Sequence, residues 1–397
     1  MKNKYHLWIA GIVLVAGMFA GCYTTSNKSH LVNSSESEFD KNQKEITWLE
    51  VANSYRNVYL QSQESQFLGS FDTTHAMVAT LGDAGYCVTA ANNKLDLENS
   101  EQAVTFITNC QSSVEDQLNL VLVRDEGGFI LFHLTYSDET LHVKQSSVVW
   151  QQGEPVEEES VEYDACSWYY SEEGYFFFEQ FHPLGYDGIS GHHGIRVKPL
   201  DARCRYLTET YMAPVGYDMN NLFTTDWTEN DMSAVDFNDL FEQMYYLTYG
   251  KQAPVSFNYT GLLYHFQREE YEQVFHTFFQ ISPETIQSKM KYQRQTDSYE
   301  YRPRGMYDST PTAYIPTPEV VGYEDRDDGT ILLTVNGVSM NDNESKIFRH
   351  EVVVRPMEDG RFQYVSNHVI EKNWEERPAW YRSRLTDAEW KELYQIE

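Results

Sequence analysis

Four side chains in residues 181–194, FHPLGYDGISGHHG, could hold a metal: His182, Asp187, His192 and His193. Imidazoles and a carboxylate suit zinc and other borderline divalent ions, and the glycines would let the loop close around one. Adjacent His192 and His193 would point to opposite faces of an extended chain, however, so a polar hairpin loop is the favoured reading. Asp325, Asp327 and Asp328 before Gly329, and the acidic run 341–344, offer oxygen ligands without the EF-hand spacing. A tight hairpin turn accounts for Asp328-Gly329 without an ion. Arg302 and Arg304, either side of Pro303, are the candidate anion contact. They could clamp a ligand's carboxylate bidentately, or the protein's own acidic groups. Cys204 lies between Arg203 and Arg205, which would lower its thiol pKa if it were exposed; a buried or disulfide-bonded thiol is the alternative. Paired carboxylates for glycoside hydrolysis cannot be singled out among 60 acidic residues. No GxSxG elbow, HExxH helix or Walker A loop occurs. The sequence therefore names no catalytic residue and calls for no cofactor.

Cys22 is a different kind of site. Lys2 and Lys4 precede an uncharged run, 7–19, about as long as a signal-peptide apolar region. That run is short of the about 20 residues that cross a bilayer. Phe19-Ala20-Gly21-Cys22 resembles the bacterial lipobox, with Phe19 in place of the usual leucine. The resemblance implies a thioether to diacylglycerol, cleavage before Cys22 and palmitate-type acylation, which place the chain on the extracytoplasmic face of the cell membrane. Residues 1–21 are then the signal peptide. Residues 22–45, rich in Ser, Thr, Asn and charge, form a disordered tether that lifts the folded part off the surface.

Lys and Arg number 30 against 60 Asp and Glu, a formal charge of −30. Such an excess opposes nucleic-acid binding and favours solubility, divalent cations or basic ligands. Aromatic residues make up 15 % of the chain, which serves cores and also stacking on sugar faces and peptides. Cys87, Cys110, Cys166 and Cys204 remain beyond Cys22. In an oxidising location they can pair as disulfides, and buried free thiols are the equal alternative; the spacing fits no zinc pattern.

Periodicity places the elements that must carry these groups. Apolar positions at helical spacing predict helices over 46–63, 71–84 and 101–112. From 119 the period drops to about two. Turns at 125–128, 137–139 and 172–174 then divide a meander of about five strands, with 153–160, GEPVEEES, expected as an acidic loop. Helices follow over 199–211, 235–249 and 269–279, and Ser282-Pro283 starts another. Strands follow over 319–323, 330–336, 347–355 and 361–368, and Thr386 with Glu389 caps a last helix. The expected class is α+β: an N-terminal domain, 46–215, with helices before an antiparallel β meander, and a C-terminal domain, 234–397, with helices on a curved antiparallel sheet. A nuclear-transport-factor-2-like cone is one form the second could take.

Several unusual strings carry a wider likeness: PLDARCRYL at 199–207, PVGYDMNNLFTTDW at 214–227, YEYRPRGMY at 299–307, PEVVGYEDRDDGTILLTVN at 318–336 and FQYVSNHV at 362–369. By these the chain resembles an uncharacterised family of surface lipoproteins from gut Clostridia. The resemblance implies lipoprotein architecture and no activity. The expectation is a non-catalytic lipid-anchored protein that binds an envelope protein, a peptide or a glycan. The alternatives are an extracytoplasmic hydrolase acting on glycan or peptide, and a purely structural role.

Overall fold

The computed structural model describes residues 46–183, 185–186, 190–257, 259–309 and 314–395. Cys22, the tether and Asp187 lie outside them. The described residues fall within one compact unit, Lys44–Glu397.

Helices α1 (Trp48–Glu64) and α2 (Phe71–Asp83) open the fold. Thr47 caps α1: its side chain accepts from the Glu50 N–H while the Glu50 carboxylate accepts from the Thr47 N–H. Thr47→Ala should lower stability by about 1 kcal/mol. The measurement is a reduced urea midpoint with an unchanged slope. Strand β1 (Cys87–Ala90) is followed by α3 (Ser100–Gln111), which carries the chain over to β2 (Asp116–Val123), and the two strands pair in parallel. Then β3 (Phe129–Ser137), β4 (Thr140–Gln151), β5 (Glu154–Tyr170), β6 (Tyr175–Gln180) and β7 (His192–Arg196) complete a seven-stranded sheet in sequence order, curved into a half-barrel.

Strand alternation divides the apolar load between the two faces of this sheet. Leu118, Leu120, Phe132 and Leu134 pack with Phe106 and Ile107 of α3. Val121, Val123, Leu131 and Val148 pack on the other face with Val51, Tyr55 and Met77 of α1 and α2.

The expected acidic loop 153–160 is instead the start of β5, paired with β4 from Gln151↔Glu154 onward. Gln152 (φ 53°) and Gly153 (φ 80°) make the tight turn, so the loop is two residues long. The glutamates of GEPVEEES stay half-buried or exposed along a strand that can present them to water.

Helix α4 (Ala202–Leu207), capped by Asp201, runs into a wider π-type turn, Thr208–Met212. Then follow β8 (Trp227–Thr228), α5 (Phe237–Tyr249), β9 (Tyr264–Gln267), α6 (Arg268–Phe278), α7 (Pro283–Lys289), β10 (Lys291–Gln293), β11 (Ser298–Tyr301), β12 (Thr317–Asp325), β13 (Ile331–Ser339), β14 (Glu344–Pro356), β15 (Phe362–Lys372) and α8 (Asp387–Tyr394). Strands β12-β13-β14-β15-β8 form a five-stranded antiparallel sheet, and β10-β11-β9 a small one. Phe237, Leu240 and Phe241 of α5 and Tyr271, Val274 and Phe275 of α6 join Leu333, Val335, Val352 and Tyr364 in the largest core. The two large sheets meet at Tyr175, Phe177 and Val338. Beside that cluster Arg196 Nη1 of β7 lies 2.9 Å from Glu319 Oε2 of β12, both buried, and the Tyr175 hydroxyl donates to Glu319 Oε1 at 2.8 Å.

Candidate functional site

Among the described residues, the three histidines of the loop form no metal-binding group. His192 and His193 sit on successive positions of β7 and face opposite ways. His192 Nε2 is 3.5 Å from Glu179 Oε1, and its Nδ1 is 3.2 Å from Asn343 Oδ1. His193 packs between Phe132 and Phe178, and burial, with His192 adding to it, pushes its pKa down to about 4. His182 stacks on Tyr186 at 3.9 Å. Among the described residues no group of three or more His, Cys, Asp or Glu side chains could hold a metal ion.

The four cysteines among the described residues are free thiols, with Cys87, Cys110 and Cys204 buried and Cys166 exposed. Burial pushes Cys87 and Cys110 up to about 12 and raises Cys204 as well. Burial, with Asp201 and Glu319 adding to it, outweighs the downward pull of Arg196 and Arg203 on Cys204, while Arg203 pairs with Asp325 and Arg205 with Asp96. Arg302 and Arg304 are likewise spent internally. Arg304 grips Asp239 with both arms, at 2.8 and 2.7 Å, and donates to the Asp308 carbonyl. Arg302 donates to the Leu385 carbonyl and faces Asp387 and Trp390.

One arrangement has the look of a charge-relay row. Thr135, His142 and Asp164 stand opposite one another on β3, β4 and β5, with His142 Nδ1 2.6 Å from Asp164 Oδ1. No side-chain hydrogen bond joins Thr135 to His142. The amides of β3 and β4 here lie between paired strands and are committed to the sheet ladder, so they supply no donor pair for an oxyanion. Chemically this is a solvated polar sheet face.

The most ligand-like surface is a cleft of about 650 Å³ between α2, the 90–98 segment and α4. Val78, Ala90 and Leu95 make its buried floor. Phe71, 55 % exposed, and Tyr206, 60 % exposed, stand as aromatic walls, with His75 stacked on Phe71 at 6.1 Å. Arg205 fastens one wall, bonding Asp96 and the Asn93 carbonyl. Lys94 meets Glu209 at 2.9 Å, and Asn92 donates to Asp125 at 3.2 Å. Four carboxylates, Asp96, Glu98, Asp125 and Glu209, therefore surround the mouth against two cations, Lys94 and Arg205.

Comparison with known proteins adds a family. A family of unknown function, DUF6070, matches residues 41–384. The chain belongs to that family. No curated protein and no solved structure matches it. The DUF6070 match runs from just before α1 to Arg384, so both large sheets and the aromatic cleft belong to it, while α8 lies past its end. Among the described residues of this DUF6070 chain, no helix is long and apolar enough to cross a membrane.

The walls of the cleft escaped sequence reading for a physical reason. Phe71 and Tyr206 are far apart in the chain and each sits in an amphipathic helical pattern, where an aromatic reads as core. Their exposure arises because α2 and α4 line opposite sides of the cleft and neither covers the other.

Proposed function

We propose that the protein is a lipid-anchored extracytoplasmic binding protein, held at the membrane by acylated Cys22. Its cleft takes a basic residue, with apolar neighbours, on a peptide or on an envelope protein. The observation that carries this reading is the pairing of exposed aromatic walls with a net acidic rim around an apolar floor. An aromatic face attracts a cation by about 0.5–2 kcal/mol, and carboxylates steer it in. The volume suits one or two side chains, and the excess of acidic over basic residues in the whole chain favours the same kind of ligand.

The test is calorimetric titration of the full chain in detergent with short peptides of the type Leu-Lys-Leu and Leu-Arg-Leu. Replacing Phe71 and Tyr206 together by Ala should weaken binding by about tenfold or more. Raising the salt concentration should weaken it further. Equal affinity of the double variant would remove the cleft from the account. Anchoring is checked separately: radiolabelled palmitate should tag the protein and fail to tag Cys22→Ser.

A further inference from the structure

Strand β5 is longer than the strand on its far side. Residues 165–170 pair with β6, but β6 ends at Gln180 opposite Ala165, and the chain comes back as β7 on the other flank of β6. Residues 154–164 therefore have β4 on one side and, among the described residues, no strand on the other.

In an antiparallel ladder every second residue turns its N–H and C=O away from the partner strand. Over 155–162 the outward groups meet no other described backbone, since no backbone bond beyond the β4–β5 ladder is made there. Exposure agrees: Glu158, Glu159 and Ser160 are exposed in succession, where a strand with one face covered would alternate. The ladder slips between Ser147 and Val148, which leaves Glu158 as an extra residue. From Glu159, opposite Ser147, to Asp164, opposite His142, the register is unbroken. That stretch is as long as an average strand. An open edge of this length is a template for one more strand.

The side chains select which strand. Glu157, Glu158, Glu159 and Glu162 stand along the edge, and none forms an ion pair among the described residues. Alternation sends Glu159 to one face of the sheet and Glu162 to the other, so an added strand meets a carboxylate on both faces. Lys144, opposite Glu162, is the single lysine or arginine of β4. A second copy of this edge would set glutamate against glutamate, which is unfavourable. A neutral strand gains nothing from the carboxylates, whereas lysine or arginine pairs with them.

We propose that β5 accepts, by strand addition beside 159–164, an extended Lys- and Arg-rich segment of a partner protein. The main chain supplies the ladder and the glutamates select the charge. This inference does not rest on the cleft reading. It concerns a different surface, where backbone rather than aromatic walls holds the partner.

The experiment uses the full chain carrying Phe71→Ala and Tyr206→Ala, so that the cleft is disabled. It is titrated calorimetrically with the peptide Lys-Val-Lys-Val-Lys-Val-Lys. One comparison peptide is N-methylated at a central Val and the adjacent Lys, which blocks both edges and keeps the charge. Another has Glu in place of every Lys. The lysine peptide should bind and slow amide hydrogen exchange over 157–162, with both comparison peptides weaker by about tenfold or more. Glu158→Gln, Glu159→Gln and Glu162→Gln together change only exposed side chains, so the fold should survive. Affinity should then fall several-fold and lose much of its salt dependence. Absence of protection over 157–162 overturns the proposal. So does equal binding of the methylated peptide, or unchanged affinity in the triple glutamine variant.

Discussion

Replacing Arg196 by Met is expected to destabilise the protein by about 3–5 kcal/mol, the usual result of stranding one member of a buried ion pair. Glu319 would remain 7 % exposed with only the Tyr175 hydroxyl to answer it. Burial already raises the Glu319 carboxyl pKa, and Arg196 is the main group pulling it back, so the lone carboxyl would take up a proton nearer neutrality. The pair also joins β7 of the half-barrel to β12 of the second sheet, and Arg196 lies over the Tyr175 ring at 5.3 Å. The loss should therefore appear in the unfolding of both halves. Urea unfolding read by tryptophan fluorescence and by far-UV circular dichroism measures it. The double replacement Arg196→Met with Glu319→Leu should recover much of the loss, because it leaves no charge behind. A single variant within about 1 kcal/mol of the parent would show the pair to be ornamental.

The second large effect is a loss of stability in mild acid, traced to His350. This residue is fully buried, with Nε2 2.8 Å from the Tyr217 hydroxyl and Nδ1 2.7 Å from Asn367 Oδ1. The hydrogen-bond pattern is satisfied by a neutral ring that donates from Nδ1 and accepts at Nε2, and Asn367 passes the chain on to the Thr225 carbonyl at 2.7 Å. Burial pushes the His350 pKa down to about 4, against a smaller opposing pull from Asn367. The unfolded chain binds the proton near pH 6.5, so it gains protons first as pH falls. The contribution of a neutral His350 is complete above about pH 6.5 and is lost progressively down to about pH 4, amounting to about 3 kcal/mol. His193 acts in the same sense and counts for less because it is partly exposed. Urea midpoints at pH 7 and pH 4.5 read the loss. His350→Gln, which does not titrate, should flatten that pH dependence, and an unchanged slope in the variant would place the acid sensitivity elsewhere.

That same chain of bonds shows what the sequence could and could not convey. Tyr217 and Thr225 come from PVGYDMNNLFTTDW, and Asn367 from FQYVSNHV. These strings are unusual because they build a buried polar network around His350, which needs particular donors at particular places. Their distinctiveness identified a family and carried no activity. Helices and strands with a clean 3.6 or 2.0 period were legible to within a few residues, as for α5 and β13. GEPVEEES was not, because a strand with half-exposed glutamates has the composition of a loop and its two-residue turn is set by backbone angles at Gln152 and Gly153. The short strands β9 to β11 were missed because each is three or four residues long, too few to show a period. Of the site candidates, His192 and His193 diverge on a strand as side-chain alternation requires, and Arg304 turns inward to the protein's own Asp239. The cleft is assembled from segments more than a hundred residues apart, Phe71 with Tyr206, and spacing along a chain does not encode such a meeting.

The central claim is that the aromatic, acid-rimmed cleft recognises a positive charge on a peptide. It is tested most directly by titrating the full chain with two peptides that differ only there, Leu-Lys-Leu and its norleucine counterpart. The account predicts that the lysine peptide binds more tightly by about tenfold, and that this preference shrinks in high salt and in the Phe71→Ala, Tyr206→Ala variant. Equal binding of the two peptides, or a preference that ignores both changes, would contradict it.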